Sequence, residues 1–208
     1  MARHTGSVCR LCRRERVKLM LKGERCLSAK CSITKKRDIP GPRNRRIKQL
    51  SEFGVQLREK QKVKRMYGVL ERQFRNMYRA AAKRKGITGE DLLMLLELRL
   101  DNVLYRLGYA KSRPQARQFV THNHIFVNGH KVAIPSYTVK LGDVIEFNPK
   151  SKERPVIKAI LENMKVEYLQ AWLSYDPAAQ QGKIVSLPRR EHIDYPITEQ
   201  LIIELYSK

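Results

Sequence analysis

Residues 120–130, VTHNHIFVNGH, hold three histidines, a His-Asn-His string and an Asn-Gly pair. Taken as chemistry, the string suggests a metal-dependent nuclease. Taken as backbone, Asn128-Gly129 between apolar residues signals a two-residue hairpin turn. The backbone reading decides. With Asn128 and Gly129 at the turn, Val127 faces His130 and His124 faces Ala133. His124 and His130 then lie three strand positions apart, on the order of ten Å. An odd separation points them to opposite faces of the sheet. His122 falls at the end of the preceding helix. No shared metal is expected, and the stretch becomes a hairpin surface.

Working outward, Ser112, Pro114 and Gln115 mark a helix start. Its inward face is expected to be Ala116, Phe119 and Val120, while Arg113 and Arg117, four apart, share another face. Upstream, Thr88 and Asp91 approximate a capping box. One long helix, DLLMLLELRLDNVLYRLG (91–108), is expected to follow, with Leu93, Leu96, Leu100, Val103, Leu104 and Leu107 as its apolar stripe and Gly108 as its end. Downstream, IPSYTVKLGDVIEF (134–147) supplies further short strands, with a turn at Gly142-Asp143.

Between residues 50 and 90, Val55, Leu57, Val63, Met66, Leu70, Phe74 and Met77 recur at roughly helical spacing, and Gly68 separates two helices. Basic residues fill the intervals: Lys60, Lys62, Lys64, Arg65, Arg72, Arg75 and Arg79. Charge is graded along the chain. Residues 1–50 carry 16 basic and 3 acidic side chains, net +13; residues 51–90 carry 11 and 4, net +7; the remainder carries 16 and 13, net +3. A formal charge of +23 on 208 residues calls for a polyanionic partner, and nucleic acid gains affinity from each phosphate neutralised.

The basic arm contains all four cysteines, in CRLC (Cys9, Cys12) and CLSAKC (Cys26, Cys31). Two close pairs can complete a closed shell of four thiolates, and the surrounding Arg10, Arg13, Arg14, Arg25 and Lys30 favour the thiolate form. One structural metal centre is expected, zinc by default, with an iron–sulfur cluster as the alternative. A closed shell leaves no position for substrate. The start, MARHTGSV, has no apolar run of the kind a secretory signal needs, and LLMLLELRL is interrupted by Glu97 and Arg99, too short for a bilayer span. The expectation is a soluble intracellular chain, with no membrane partner and no small-molecule substrate.

RLDNVLYRLGYAKSRPQARQFVTHNHIFVNGHKVAIPSYTVKLGDVI (99–145) resembles the RNA-binding module named after bacterial small-subunit ribosomal protein four. The four-cysteine arm, LREKQKVKRMYGVLERQFRN (57–76), AWLS (171–174) and EQLIIELYSK (199–208) extend the resemblance to that ribosomal protein family over essentially the whole length. The linker PGPRNRR departs from the family's usual Gln-His-Gly after Pro-Gly, and Ala171 stands where a proline commonly precedes Trp-Leu. The implied fold class is α+β: a metal-bound basic arm, an all-helical domain, and a second domain of two helices packed on a small, mostly antiparallel sheet. The expected divisions are 1–45 for the arm and linker, 46–90 plus 190–208 for the helical domain, and 91–189 for the module with its extension, core 97–148.

The resemblance implies a cytoplasmic ribosomal constituent, in a bacterium or bacterial-derived organelle, that binds small-subunit rRNA and helps nucleate the subunit body. It also implies contact with ribosomal protein five and other small-subunit proteins, an effect on translational accuracy, and a place beside the channel by which mRNA enters. Candidate rRNA contacts are Arg43, Arg45, Arg46 and Lys48; Arg58, Lys60, Lys62, Arg65, Arg72 and Arg75; and Lys111, Ser112, Arg113, Arg117, His122, Asn128, His130 and Lys131. An RNA-modifying enzyme would need a catalytic domain, and residues 150–208 contain no Gly-rich cofactor loop. A zinc-finger DNA regulator would need a groove-reading helix and usually a dimer-forming segment.

Overall fold

The computed structural model describes residues 4–41, 49–164 and 169–207. The chain divides into two compact units, residues 1–91 with 195–208 and residues 92–194. Among the described residues no helix is long and apolar enough to cross a membrane.

The first unit is helical. α1 (Cys9–Glu15) and α2 (Glu24–Leu27) are the short helices of the arm. α3 (Glu52–Met66) starts where the Ser51 side chain accepts the Gly54 N–H, a side-chain N-cap. It buries Gln56, Lys60, Val63 and Met66, one stripe at i, i+4, i+7 and i+10. Gly68, at φ +64°, turns the chain as expected into α4 (Glu71–Ala82). α5 (Thr88–Glu97) follows, its first residues in this unit.

The second unit corrects the expected long helix. α5 stops at Glu97, and α6 (Leu100–Arg106) begins after an extended Arg99. Tertiary pairing makes the break: Arg99 bridges Thr138, Leu100 N–H donates to the Tyr137 carbonyl, and Val139 N–H to the Leu98 carbonyl. Gly108, at φ +82°, closes α6. α7 (Arg113–Thr121) opens at Ser112, whose side chain makes no cap bond; the Gln115 side chain instead accepts the Lys111 N–H.

The hairpin is as read. In β1 (Ile125–Val127) and β2 (His130–Lys131), Val127 pairs His130 around Asn128 and Gly129, both at positive φ. β3 (Val144–Phe147) lies on the other side of β1. The expectation of two helices on a small sheet needs enlarging. α8 (Pro149–Lys152) and α9 (Pro155–Glu162) follow, then β4 (Leu173–Asp176) and β5 (Gln181–Ile184), completing an antiparallel sheet of order β2-β1-β3-β5-β4. Leu100, Val103, Leu104, Leu107, Ala116 and Val120 pack against Ile125, Ile145, Phe147, Trp172 and Ile184 in one core.

A final helix, α10 (Glu199–Ser207), belongs to the first unit and packs on α3. Ile202 is fully buried there, and Tyr206 stacks on Tyr78 with ring centroids 4.7 Å apart.

Candidate nucleic-acid interface

The two basic helices of the first unit use their charge differently. On α3 the cations face carboxylates of the fold. Arg58 and Arg65 both pair with Glu15, whose side chain is only 2% exposed. Burial pushes Glu15 above its ordinary range despite the two guanidinium groups. Lys60 Nζ donates to Glu71 at 2.7 Å and Lys64 Nζ at 3.0 Å. Burial pushes the Glu71 carboxyl up, but these bonds and one from Tyr206 bring it down to about 2. Lys62 donates to the Pro196 carbonyl and pairs with Glu59. The expectation of a free basic face on α3 is therefore corrected: Arg58, Lys60, Lys62 and Arg65 are engaged internally, and Lys60 is buried.

α4 is the opposite case. Arg72, Arg75, Arg79 and Lys83 are exposed, recur at spacings of three and four, and so line one face. None forms an ion pair with a described residue. Arg43, Arg45, Arg46 and Lys48 lie outside the described residues.

In the second unit, Arg113 and Arg117 were expected on an exposed face. The structure corrects this, because position 113 shares its stripe with Ala116 and Val120. Arg113 is 5% exposed; its Nε donates to Asn102 Oδ1 at 2.7 Å, and its guanidinium lies 4.6 Å from the Tyr105 ring centroid. Arg117 is partly exposed and pairs with Asp101, which also accepts two bonds from Arg99. Glu97, 1% exposed, accepts from Asn102 and twice from Arg106. A buried ionic network is costly to break, about 3–5 kcal/mol when one partner is removed.

Asn128 is also committed internally. Its amide donates to Asp143 and its carbonyl accepts the Val144 N–H, both at 2.9 Å, which pins the hairpin to β3. Exposed side chains remain at Lys111, His122, His130 and Lys131, with Ser112 half-buried. His124 departs from the strand position expected for it. It precedes β1, is buried, and places Nδ1 2.8 Å from Ser151 Oγ. Asn123, at φ +63°, turns the chain so that the His122 and His124 rings come within 6.2 Å.

None of the four cysteines is joined in a disulfide; Cys12, Cys26 and Cys31 are buried and Cys9 is partly so. Among the described residues no three His, Cys, Asp or Glu side chains gather closely enough to hold a metal ion. The thiols nonetheless share a neighbourhood: burial raises Cys12 first, and Cys26, Cys9 and Cys31 raise it further. Lys22 N–H donates to Cys26 Sγ at 3.3 Å. Burial raises the Cys31 thiol, but the N–H groups of Thr34 and Ile33, the Thr34 side chain and Lys18 bring it below its ordinary value. This donor chemistry fits thiolates.

Residues 3–97 match the ribosomal protein S4/S9 N-terminal domain, and residues 98–145 match the S4 domain. Over 208 residues, covering all of both chains, this chain is 57% identical to small ribosomal subunit protein uS4 of Thermoanaerobacter sp. (strain X514). The corresponding figures are 55% for that of Ruminiclostridium cellulolyticum and 52% for that of Heliobacterium modesticaldum. The chain belongs to the uS4 family.

The uS4 family is one of ribosomal proteins, not enzymes. In this uS4 chain the candidate interface consists of the outer face of α4 and the exposed residues around α7 and the hairpin. Lys83 was absent from the residues singled out in the sequence. The signal for it was the run Lys83-Arg84-Lys85 at the end of an amphipathic helix, where cations also complement the helix dipole.

Proposed function

We propose that this uS4 chain is a structural constituent of the small ribosomal subunit that binds small-subunit rRNA through its own basic faces. The observation that carries this is the division between engaged and free cations. Neutralising α3 inside the fold while leaving Arg72, Arg75, Arg79 and Lys83 open makes α4 the phosphate-facing element of the first unit. Folded RNA is recognised largely by shape, phosphate and 2′-hydroxyl contacts, which such faces suit. In the second unit Lys111, His122, His130 and Lys131 supply the contacts, and the Arg113 network holds their scaffold. Binding of folded small-subunit rRNA, measured against duplex DNA over a salt series, tests this. Equal affinity for both would defeat it.

Family membership also supports finer parts of the reading. These are nucleation of the subunit body, contact with ribosomal protein five, an influence on accuracy, and a position beside the channel by which mRNA enters, in the ribosome of a bacterial-type cytoplasm. Cys9, Cys12, Cys26 and Cys31 would hold one structural metal, zinc or, as the alternative, an iron–sulfur cluster. The shared thiol neighbourhood and its N–H donors support this. When bound, the metal would tie α1 to the α2 region. Elemental analysis with an absorption spectrum of anaerobically purified protein separates the two metals. Metal content unchanged in Cys9→Ser or Cys31→Ser would refute the site.

A further inference from the structure

Asn128 and Gly129 form the single Asn-Gly pair of the chain, and both are exposed at the tip of the β1–β2 turn. Glycine leaves the backbone nitrogen of residue 129 unshielded, since a Cβ built there would meet nothing within 4 Å. An asparagine side chain beside such a nitrogen can cyclise onto its own backbone. We propose that Asn128 is a site of spontaneous deamidation, and that its contacts with Asp143 and Val144 gate the reaction. The hairpin thereby keeps a permanent chemical record of having opened.

In the reaction the Gly129 nitrogen gives up its proton and adds to Asn128 Cγ. The new C–N bond forms as the Cγ–Nδ2 bond breaks, and Nδ2 leaves as ammonia, taking the proton with it. Water then opens the resulting succinimide. Addition at Cγ leaves aspartate; addition at the main-chain carbonyl carbon leaves isoaspartate, with the chain running through the former side chain. Water is the only co-reactant, and nothing is oxidised or reduced.

While the hairpin is closed, Cγ is held away from Gly129. Nδ2 donates to Asp143 Oδ1 and Oδ1 accepts the Val144 N–H, both at 2.9 Å, and the Asn128 N–H donates to the Val144 carbonyl at 2.8 Å. Asp143 is itself fixed, being 8% exposed with Oδ2 accepting the Lys140 N–H at 2.7 Å. Swinging Cγ onto Gly129 breaks both side-chain bonds and leaves Asp143 Oδ1 without this donor. The route to opening lies at the sheet edge. β2 is only His130–Lys131, both exposed, at the end of the strand order, and such segments open well below the free energy of global unfolding. Reclosure is different once the reaction has run. An aspartate at 128 offers no Nδ2 donor and sets a second carboxylate against Asp143, and like charges at contact distance repel. An isoaspartate lengthens the backbone of a turn whose two-residue loop fixes the register of the strands.

Deamidation of the full chain is followed at neutral pH by mass spectrometry of the peptide containing residue 128. The rate is measured in native buffer, across a urea series below the unfolding midpoint, and in the fully unfolded chain. The folded chain should react more slowly than the unfolded one, and its rate should climb within the urea series before global unfolding begins. Asp143→Ala removes one hydrogen bond of the gate and should accelerate the folded chain about 2–10-fold, leaving the unfolded rate unchanged. If that variant fails to fold, the urea series on the parent chain decides. Asn128→Asp, which creates one of the two products, should lose hydrogen-exchange protection at Val144 and in β1, while β4 and β5 keep theirs. No conversion at residue 128 even in the unfolded chain would overturn the site. A folded rate equal to the unfolded one, or one that rises only with global unfolding, would overturn the gate. Full protection of β1 in Asn128→Asp would overturn the claim that the reaction leaves its mark on the hairpin.

Discussion

Glu71 joins Lys60, Lys64 and Tyr206, and its depressed acidity makes the first unit sensitive to acid in a defined direction. Its ordinary value is 4.5 and its folded value about 2. The stabilisation is therefore fully present above about pH 4.5 and is lost as pH falls through about 2. Relative to the parent, Glu71→Gln should be destabilised at pH 7, and the gap in denaturation midpoint should shrink steadily below pH 4.5. A gap independent of pH would show that charge plays no part. Arg113 and Arg75 make a second contrast. Arg113→Ala removes a buried hydrogen bond to Asn102 and a cation–π contact with Tyr105 and should cost about 1.5–3 kcal/mol by denaturant titration, whereas Arg75→Ala should stay within about 0.5 kcal/mol and weaken rRNA binding. A reversed order would mean that burial does not separate the two arginines. The sequence showed both as helix arginines at helical spacing. Their difference depends on Asn102 and Tyr105 from another helix, and no local pattern announces those partners.

At the scale of elements, punctuation was legible where a residue carries its own backbone preference. Gly68, Gly108 and Asn128-Gly129 mark turns in the sequence and adopt positive φ in the structure. The break between α5 and α6 was illegible because Leu98 and Arg99 carry no such preference; Thr138, Tyr137 and Val139 impose it from a distant segment. β4 and β5 were missed for a similar reason, since short strands flanking DPAAQQG gain their identity only by pairing with β3. That pairing leaves little room. A Cβ on Gly182 in β5 would lie 2.7 and 2.8 Å from the Leu107 methyls, and Leu107 is fully buried. Gly182→Ala should therefore cost about 1–3 kcal/mol through overpacking, read as a lower denaturation midpoint. Leu107→Ala in the same chain should relieve part of the clash, and strict additivity of the two losses would argue against direct contact.

Across the whole molecule, the +23 charge was readable at once, but its use was not. Much of the positive charge on α3 is neutralised by Glu15, Glu59 and Glu71, the last also held by the C-terminal helix. This gives α10 a part in holding the helices that carry the free basic face of α4. Its Ile202 is fully buried, Gln56 donates to Glu204 at 3.0 Å, and Tyr206 stacks on Tyr78 while donating to Glu71. Burying one such aliphatic side chain contributes about 1.5–3 kcal/mol, and an aromatic pair about 0.5–1.5 kcal/mol more. Those losses are large beside a typical domain stability of about 5–15 kcal/mol. A chain ending at Thr198 should therefore lose hydrogen-exchange protection across α3 and α4, while the sheet of the second unit keeps its own. Affinity for folded small-subunit rRNA should fall with it, because the free face of α4 is presented by helices that α10 holds in place. Tyr206→Ala should give a weaker version of both effects. Full protection of α3 in the shortened chain would mean that α10 rests on the first unit without supporting it.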